Sequence, residues 1–351
     1  MSQFKSWEIN RADGNGAYKV SSYDEVMSRF STYAGEPYKF TDKTGHTGRY
    51  AIPVTEAFNM LFYRTDIFEE LGLEPPKTWD EFYRVLTILQ NNNMQVGIPS
   101  GSDAAVDSGI FLSLLKQNGV SLYSDDLKKT NLDTTTALSV FKQWTGFYSQ
   151  YSMPQRYDLY TRFRTGEMPM GFAGYTFVNQ LNYAAPELKG LWEMVPVPGT
   201  VQEDGTVDNT VCGGGAGALI YTRAVKRGVE DAAWAYIDWF TSEDTQAKYG
   251  FDIETLLGAA GRYDTANLAA AERLPWTAKE MKVLKEQWSN MFINPVVIGD
   301  YYYGRNITFA FRNVVIYAKN PREMLLSYNK EINNEITVKR EEFGLEVDKD
   351  D

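Results

Sequence analysis

Few residues in this chain can do covalent or metal chemistry. Its 351 residues hold one cysteine, Cys212, and one histidine, His46. A single thiol excludes an internal disulfide and any cysteine-cluster zinc site. A single imidazole argues against a histidine-based metal site or a Ser-His-Asp triad. His46 also lies in a turn-like run, Thr44-Gly45-His46-Thr47-Gly48, where a solvated loop histidine is expected. The chain has 46 Asp and Glu residues. With that many, a carboxylate pair such as Glu56 and Asp107 is not specific evidence for glycoside hydrolysis. Asp13-Gly14-Asn15-Gly16 reads as a turn. Counted as a calcium loop from Asp13, it has Ala17 at the fifth position and Tyr18 where glycine is needed. What the chain carries in abundance is aromatic: 14%, with 23 Tyr and 8 Trp. That richness suits a protein that stacks flat apolar faces against a ligand, and it equally suits a Tyr-rich core and surface.

The bulk properties narrow the field further. The length suits about two domains with a sizeable core. The net charge of -11 argues against binding a nucleic-acid backbone, which needs a basic surface. Hydrophobic residues make up 43% and charged residues 23%, a globular balance. No apolar run approaches the roughly 18 residues that span a membrane, and no secretory signal stands at Met1.

The elements that must position any site follow from local patterns. Phe58, Met60 and Phe62 alternate with Asn59, Leu61 and Tyr63. This period of two, apolar on both faces, predicts a strand inside a sheet. A helix is expected from about Asp66, stopped by Gly72 in a left-handed conformation. Thr78-Trp79-Asp80-Glu81 is a capping box, followed by an apolar stripe of Phe82, Val85, Leu86 and Leu89. Val96–Pro99 reads as a short strand, Ser100–Asp103 as a loop, and Ile110, Leu114 and Leu115 as a helix ending at Asn118-Gly119. Asp133 is expected to cap a long helix bearing Leu138, Phe141, Trp144 and Tyr148. Met168–Gly174 predicts a buried strand, and Tyr175–Leu181 the start of the next helix. The run Cys212-Gly213-Gly214-Gly215-Ala216-Gly217 lacks the Lys-Ser/Thr of a phosphate loop and leads into strand residues. It reads as a return hinge, where glycine allows the backbone to swing and approach closely. Further helices are expected over Glu230–Phe240, after the capping box Thr277–Glu280, from Tyr301, and from Asn320-Pro321 to near Gly344.

One long stretch carries a resemblance. From Tyr50 through Tyr63-Arg64-Thr65-Asp66 to Pro75-Pro76-Lys77-Thr78-Trp79-Asp80-Glu81, the chain resembles the crossover segment of the family 1 extracellular solute-binding proteins of ABC transporters, the maltose-binding-protein-like group. Ala233-Trp234-Ala235-Tyr236 through Thr241-Ser242 and Gln246 is similar to a second stretch of that family. The C-terminal part looks most like its long Gram-positive members, and the resemblance spans about residues 45 to 345. It implies an α/β, two-lobed, periplasmic-binding-protein-like class II fold. Residues 1–53 and 218–282 would form a partial first lobe, and residues 54–217 and 283–351 the second. Only 49 residues precede Tyr50, so the expectation is an incomplete first lobe, its remainder encoded upstream in a longer polypeptide.

The resemblance also implies a function. The chain is expected to bind a carbohydrate outside the cell, at the cell surface, and to present it to the permease subunits of an importer. It would touch a membrane only through an anchor outside this stretch, and it would need no cofactor, metal or nucleic acid. At the positions the family uses, the candidate ligand contacts are Glu56, Phe58, Asp107, Tyr175, Phe177, Tyr303 and Arg305, with no catalytic residue among them. The aromatics would be plates for sugar faces, and Glu56 and Asp107 would bond hydroxyls. Two other readings stay open at the level of sequence: a glycoside-processing enzyme, and a non-transport interaction module of a larger surface protein.

Overall fold

A computed structural model describes residues 1, 3–10, 17–99, 101, 105–258 and 261–347. The turn expected at Asp13–Gly16, with its calcium count, lies outside the described residues, as do Ser100, Ser102 and Asp103 of the expected loop. The chain divides into two compact units. The first comprises Met1–Ala57, Gly213–Lys282 and Ile293–Val296, and the second Phe58–Cys212, Val283–Phe292 and Val297–Asp351.

The second unit is built on the strand Ala57–Arg64. Phe58, Met60, Leu61, Phe62 and Tyr63 are all buried, as expected for a strand covered on both faces. Its backbone is paired on both edges. Met170–Gly174 runs antiparallel along one. Trp192–Val195 and Val211–Gly214 share the other, and Met291–Phe292 and Val96–Gly97 complete a six-stranded sheet among the described residues. The capping box forms: Thr78 Oγ1 accepts from the Glu81 amide at 3.2 Å while the Glu81 carboxylate accepts from the Thr78 amide. The helix it opens, Trp79–Asn91, lays Phe82, Val85, Leu86 and Leu89 into the core. Gly72 ends the helix Thr65–Leu71 at φ 63°.

The helix Thr135–Ser149 packs against Gly109–Gln117, Tyr301–Val315 and Pro321–Glu342. Its Trp144 stacks on Phe111 at 5.1 Å and meets Phe311 at 4.6 Å. The cap of this helix is Thr134, whose side chain accepts from the Ala137 amide, and not Asp133. Thr134 has the extended backbone a cap requires, and the side-chain pattern of Asp133-Thr134 alone did not distinguish two adjacent capping residues. Two buried glutamines supply polar ties. Gln117 accepts from Trp79 Nε1 at 2.8 Å and donates to Thr210 O; Gln287 accepts from the Val197 amide at 2.8 Å and donates to Asn209 O.

The first unit has its own core of Phe4, Val20, Tyr23, Val26, Phe30, Ile52, Trp234 and Ile237, with Phe4 stacked on Trp234 at 4.6 Å. The helix Glu230–Phe240 carries the buried Asp238. Its carboxylate accepts from Arg29 at 2.5 Å, Tyr18 Oη at 2.7 Å and the Ser21 amide at 3.1 Å. A buried charge needs that much compensation. The strand Ala51–Pro53 pairs antiparallel with Gly217–Leu219, so strand does follow the glycine run as expected.

The glycine run is sterically required at two points. A Cβ on Gly215 would stand 2.0 Å from the Thr55 carbonyl oxygen, and one on Gly217 would stand 2.6 Å from the Tyr38 ring, whereas Gly214 faces open space. Gly215→Ala should therefore lower stability by about 1–3 kcal/mol, as overpacking against backbone does. Gly214→Ala should leave stability nearly unchanged. Urea unfolding of the two variants beside the wild type checks this, and equal midpoints for both would contradict the steric account.

Candidate functional site

Asp107 sits just before the helix Gly109–Gln117. Its Oδ1 accepts from the Gly109 amide at 2.8 Å. The Gly109 carbonyl in turn accepts from Ser113 Oγ at 2.7 Å, and Ser113 Oγ accepts from the Cys212 amide at 2.9 Å. This chain of bonds fixes the start of the helix against the sheet. The Val106 amide donates to Thr308 Oγ1 at 3.1 Å on the helix Tyr301–Val315. Gly101 takes φ +79°, and a Cβ there would stand 2.3 Å from the Ala105 carbonyl, so only glycine serves.

A cavity of about 600 Å³ opens beside Asp107 within the second unit. Phe172, Phe311 and Leu159 give it apolar walls, and Asp107, Arg156, Tyr157 and Arg312 give it polar groups. Burial pushes the Asp107 carboxyl above the usual carboxylate range, partly offset by the Gly109 amide. Burial, then the Asp107 charge, pushes the Tyr157 hydroxyl far up, so it stays a neutral donor and acceptor. The neighbouring Tyr148 hydroxyl rises for the same reasons, with Tyr157 contributing. Half-buried Asp107, Tyr157 and Arg312 with the exposed Arg156 over aromatic walls can orient a small polar ligand that has apolar faces. Among the described residues no cluster of three or more His, Cys, Asp or Glu could hold a metal ion.

The other candidates fall in separate places. Tyr303 is buried near Asp107; burial raises its hydroxyl strongly, Ser108 pulls it down, and Cys212, Asp300 and Asp107 push it further up. Arg305, two residues on, turns about 200° around the helix. It is exposed, with its guanidinium 5.5 Å from the Tyr302 ring and 5.6 Å from Phe309. Phe58, Tyr175 and Trp288 form a buried aromatic group, with Tyr175 5.1 Å from Phe58 and 6.0 Å from Trp288. Phe177 packs perpendicular to Phe62 with the ring centres 5.1 Å apart. Glu56 belongs to the first unit, fully buried, where Ser31 Oγ donates to it at 2.9 Å. Its charge helps raise the Tyr38 hydroxyl, after burial. The structure thus brings Asp107 and Tyr303 together, and Phe58 with Tyr175, and leaves Phe177 and Arg305 apart from both groups.

Residues 15–247 match the family described as bacterial extracellular solute-binding protein. The chain belongs to that family. Solved structures share the α/β fold at low identity. One is the sugar-binding protein MalE from the phytopathogen Xanthomonas citri, with a TM-score of 0.68 at 17% identity, over 86% of this chain and 73% of that one. The cyclic alpha-maltosyl-1,6-maltose binding protein of Arthrobacter globiformis gives 0.68 at 16%, over 89% and 77%. An ABC transporter solute-binding protein of Thermotoga lettingae, bound with alpha-D-tagatose, gives 0.65 at 19%, over 89% and 79%. Like these proteins, this solute-binding protein has the two-lobed fold of the MalE type. Among its described residues no helix is long and apolar enough to cross a membrane.

Asp107 supplies a pH test of the cavity. Its carboxyl titrates higher in the folded protein than the unfolded value of about 3.9. Its stability is therefore whole below that value and falls as pH rises through the folded titration, because folding then disfavours the charge. Asp107→Asn keeps an acceptor for Gly109 and removes the charge. Thermal unfolding should place the variant above the wild type at pH 7, with the gap closing towards about pH 4. A gap that widened on acidification would contradict the sign.

Proposed function

We propose that this chain is the receptor component of an ATP-driven carbohydrate importer. It binds a saccharide outside the cell and hands it to membrane permease subunits without chemical turnover. The observation that carries the reading is the cavity at Asp107 in a member of a solute-binding family. Its aromatic and aliphatic walls suit the C–H faces of a pyranose, and its carboxyl, phenol and guanidinium groups suit the hydroxyl rim. The sugar ligands named for the similar solved structures support it.

Within this reading the second unit is the second lobe and the first unit belongs to the first lobe. Asp107 and Tyr157 are assigned the hydroxyl contacts. Tyr303 packs near Asp107, and Phe58 with Tyr175 forms a separate buried aromatic group that is assigned a structural role. Phe177 fixes the sheet through Phe62, Glu56 is a buried tie of the first unit, and Arg305 is assigned no ligand contact.

Calorimetric titration with a panel of di- and trisaccharides should find at least one that binds saturably and is recovered intact. Tyr157→Ala should weaken that binding by about 1–3 kcal/mol, the scale of a lost buried contact to a ligand. Repeated turnover of any saccharide, or no binding across the panel, would overturn the proposal.

A further inference from the structure

The first unit holds a strand and a helix that its own core does not cover. The strand Gly217–Leu219 and the helix Thr222–Lys226 lie within residues 212–233, none of which is buried. Side chains alternate along a strand. Ala218 and Ile220 pack against the core of the first unit. Leu219 and Tyr221 take the opposite face, where they are 48% and 74% exposed. Val225 and Val229 extend this exposed apolar surface, and Leu219, Tyr221, Ala224 and Val229 line a groove of about 560 Å³.

The backbone of the strand is half used. One edge pairs with Ala51–Pro53, and no strand of the described residues occupies the other. Edge strands of folded proteins are usually blunted by lysine, proline or an inward charge. The run Gly217-Ala218-Leu219-Ile220-Tyr221 has none of these. A row of outward N–H and C=O groups beside apolar side chains selects its occupant chemically. An extended polypeptide pairs the backbone and covers the side chains together. A lipid surface would cover the side chains and leave the backbone groups unpaired. Arg223, Lys226 and Arg227 stand exposed on the helix and at its cap, with no acidic residue between them. Glu230 and Asp231 come only in the first turn of the next helix. Acidic residues at the end of an incoming strand complement these cations.

We propose that this edge and groove dock an extended polypeptide segment from outside these 351 residues. Its backbone pairs with Gly217–Leu219, and its alternate apolar side chains cover Leu219 and Tyr221. Acidic residues at its end meet Arg223, Lys226 and Arg227. The surface belongs to the first unit alone, so strand docking here and saccharide binding at the Asp107 cavity stand or fall separately.

The test titrates the isotopically labelled full chain with a capped ten-residue peptide that alternates valine with threonine and ends in two aspartates. Saturable binding should shift the amides of Gly217 to Tyr221 and slow their hydrogen exchange. The same peptide with N-methylated backbone amides should bind about tenfold or more weakly, because it cannot pair with the edge. Leu219→Lys, an exposed position, should keep its circular-dichroism spectrum and lose the binding. A twin ending in two asparagines should bind more weakly than the aspartate peptide, and the difference should vanish in Arg223→Gln/Lys226→Gln/Arg227→Gln and shrink with salt. Equal affinity for the two ends would overturn the charge match. No binding, or equal binding of the N-methylated peptide, would overturn strand docking. Two further outcomes would overturn it in favour of another occupant. One is concentration-dependent protection of these amides without peptide, with sedimentation at twice the chain mass, which marks a second copy. The other is their protection by phosphatidylglycerol vesicles alone, which marks a lipid surface.

Discussion

The double-sided burial of one eight-residue strand, Ala57–Arg64, constrains most of the second unit. Every backbone N–H and C=O in such a strand must be paired, because neither face offers water. The chain meets this by placing Met170–Gly174 on one edge and Trp192–Val195 with Val211–Gly214 on the other. Helices must then cover both faces, and aromatic rings fill the layers between: Phe58 with Tyr175 and Trp288, and Phe62 with Phe177 and Trp192. At the end of the strand, Arg64 is nearly buried and holds Asp66 through two bonds of 2.9 and 2.6 Å. A third bond, to Phe163 O at 3.0 Å, anchors the helix Leu159–Thr165. Burial alone would push the Asp66 carboxyl up, but this fork outweighs it and holds the group below its usual range.

Polar groups in the protein therefore fall into two sets. Asp238, Gln117 and Gln287 are buried and held by several partners each. They fix elements. Asp107 and Tyr157 are only half-buried and lie over packed rings. Their ionisation is disfavoured by burial, which is costly for folding and which the proposed ligand contacts would put to use. A rigid wall such as Phe311 against Trp144 and Tyr148 lets these groups keep their geometry before a ligand arrives. The cost of ordering on binding falls accordingly.

Local signals in the sequence were faithful guides to the elements. The alternation from Phe58 to Tyr63, the capping box at Thr78 and Glu81, and the helix stop at Gly72 each act within a few residues, so each could be read directly. The cap at Thr134 was misplaced by one residue because two capping side chains stand side by side. The site was less legible. Asp107 stood among the expected contacts, but Arg156, Tyr157 and Arg312, which line the same cavity, were not singled out. They sit in an irregular segment and on a helix, with no spacing that links them, and only the tertiary fold brings them to one cavity. Arg305 shows the reverse effect: its type suits a sugar site, but helical geometry turns it away from Tyr303. The fork from Arg64 to Asp66 lay in plain view two residues apart, yet its importance depends on burial, which sequence does not state.

The account stands on the placement of a saccharide at the Asp107 cavity. Nuclear magnetic resonance of the isotopically labelled protein, saturated with its tightest-binding saccharide, tests that placement most directly. The account predicts that the largest amide shifts cluster at Val106 to Gly109, Gln155 to Tyr157 and Phe311 to Ile316. Shifts centred elsewhere, with those three segments unmoved at saturation, would contradict it.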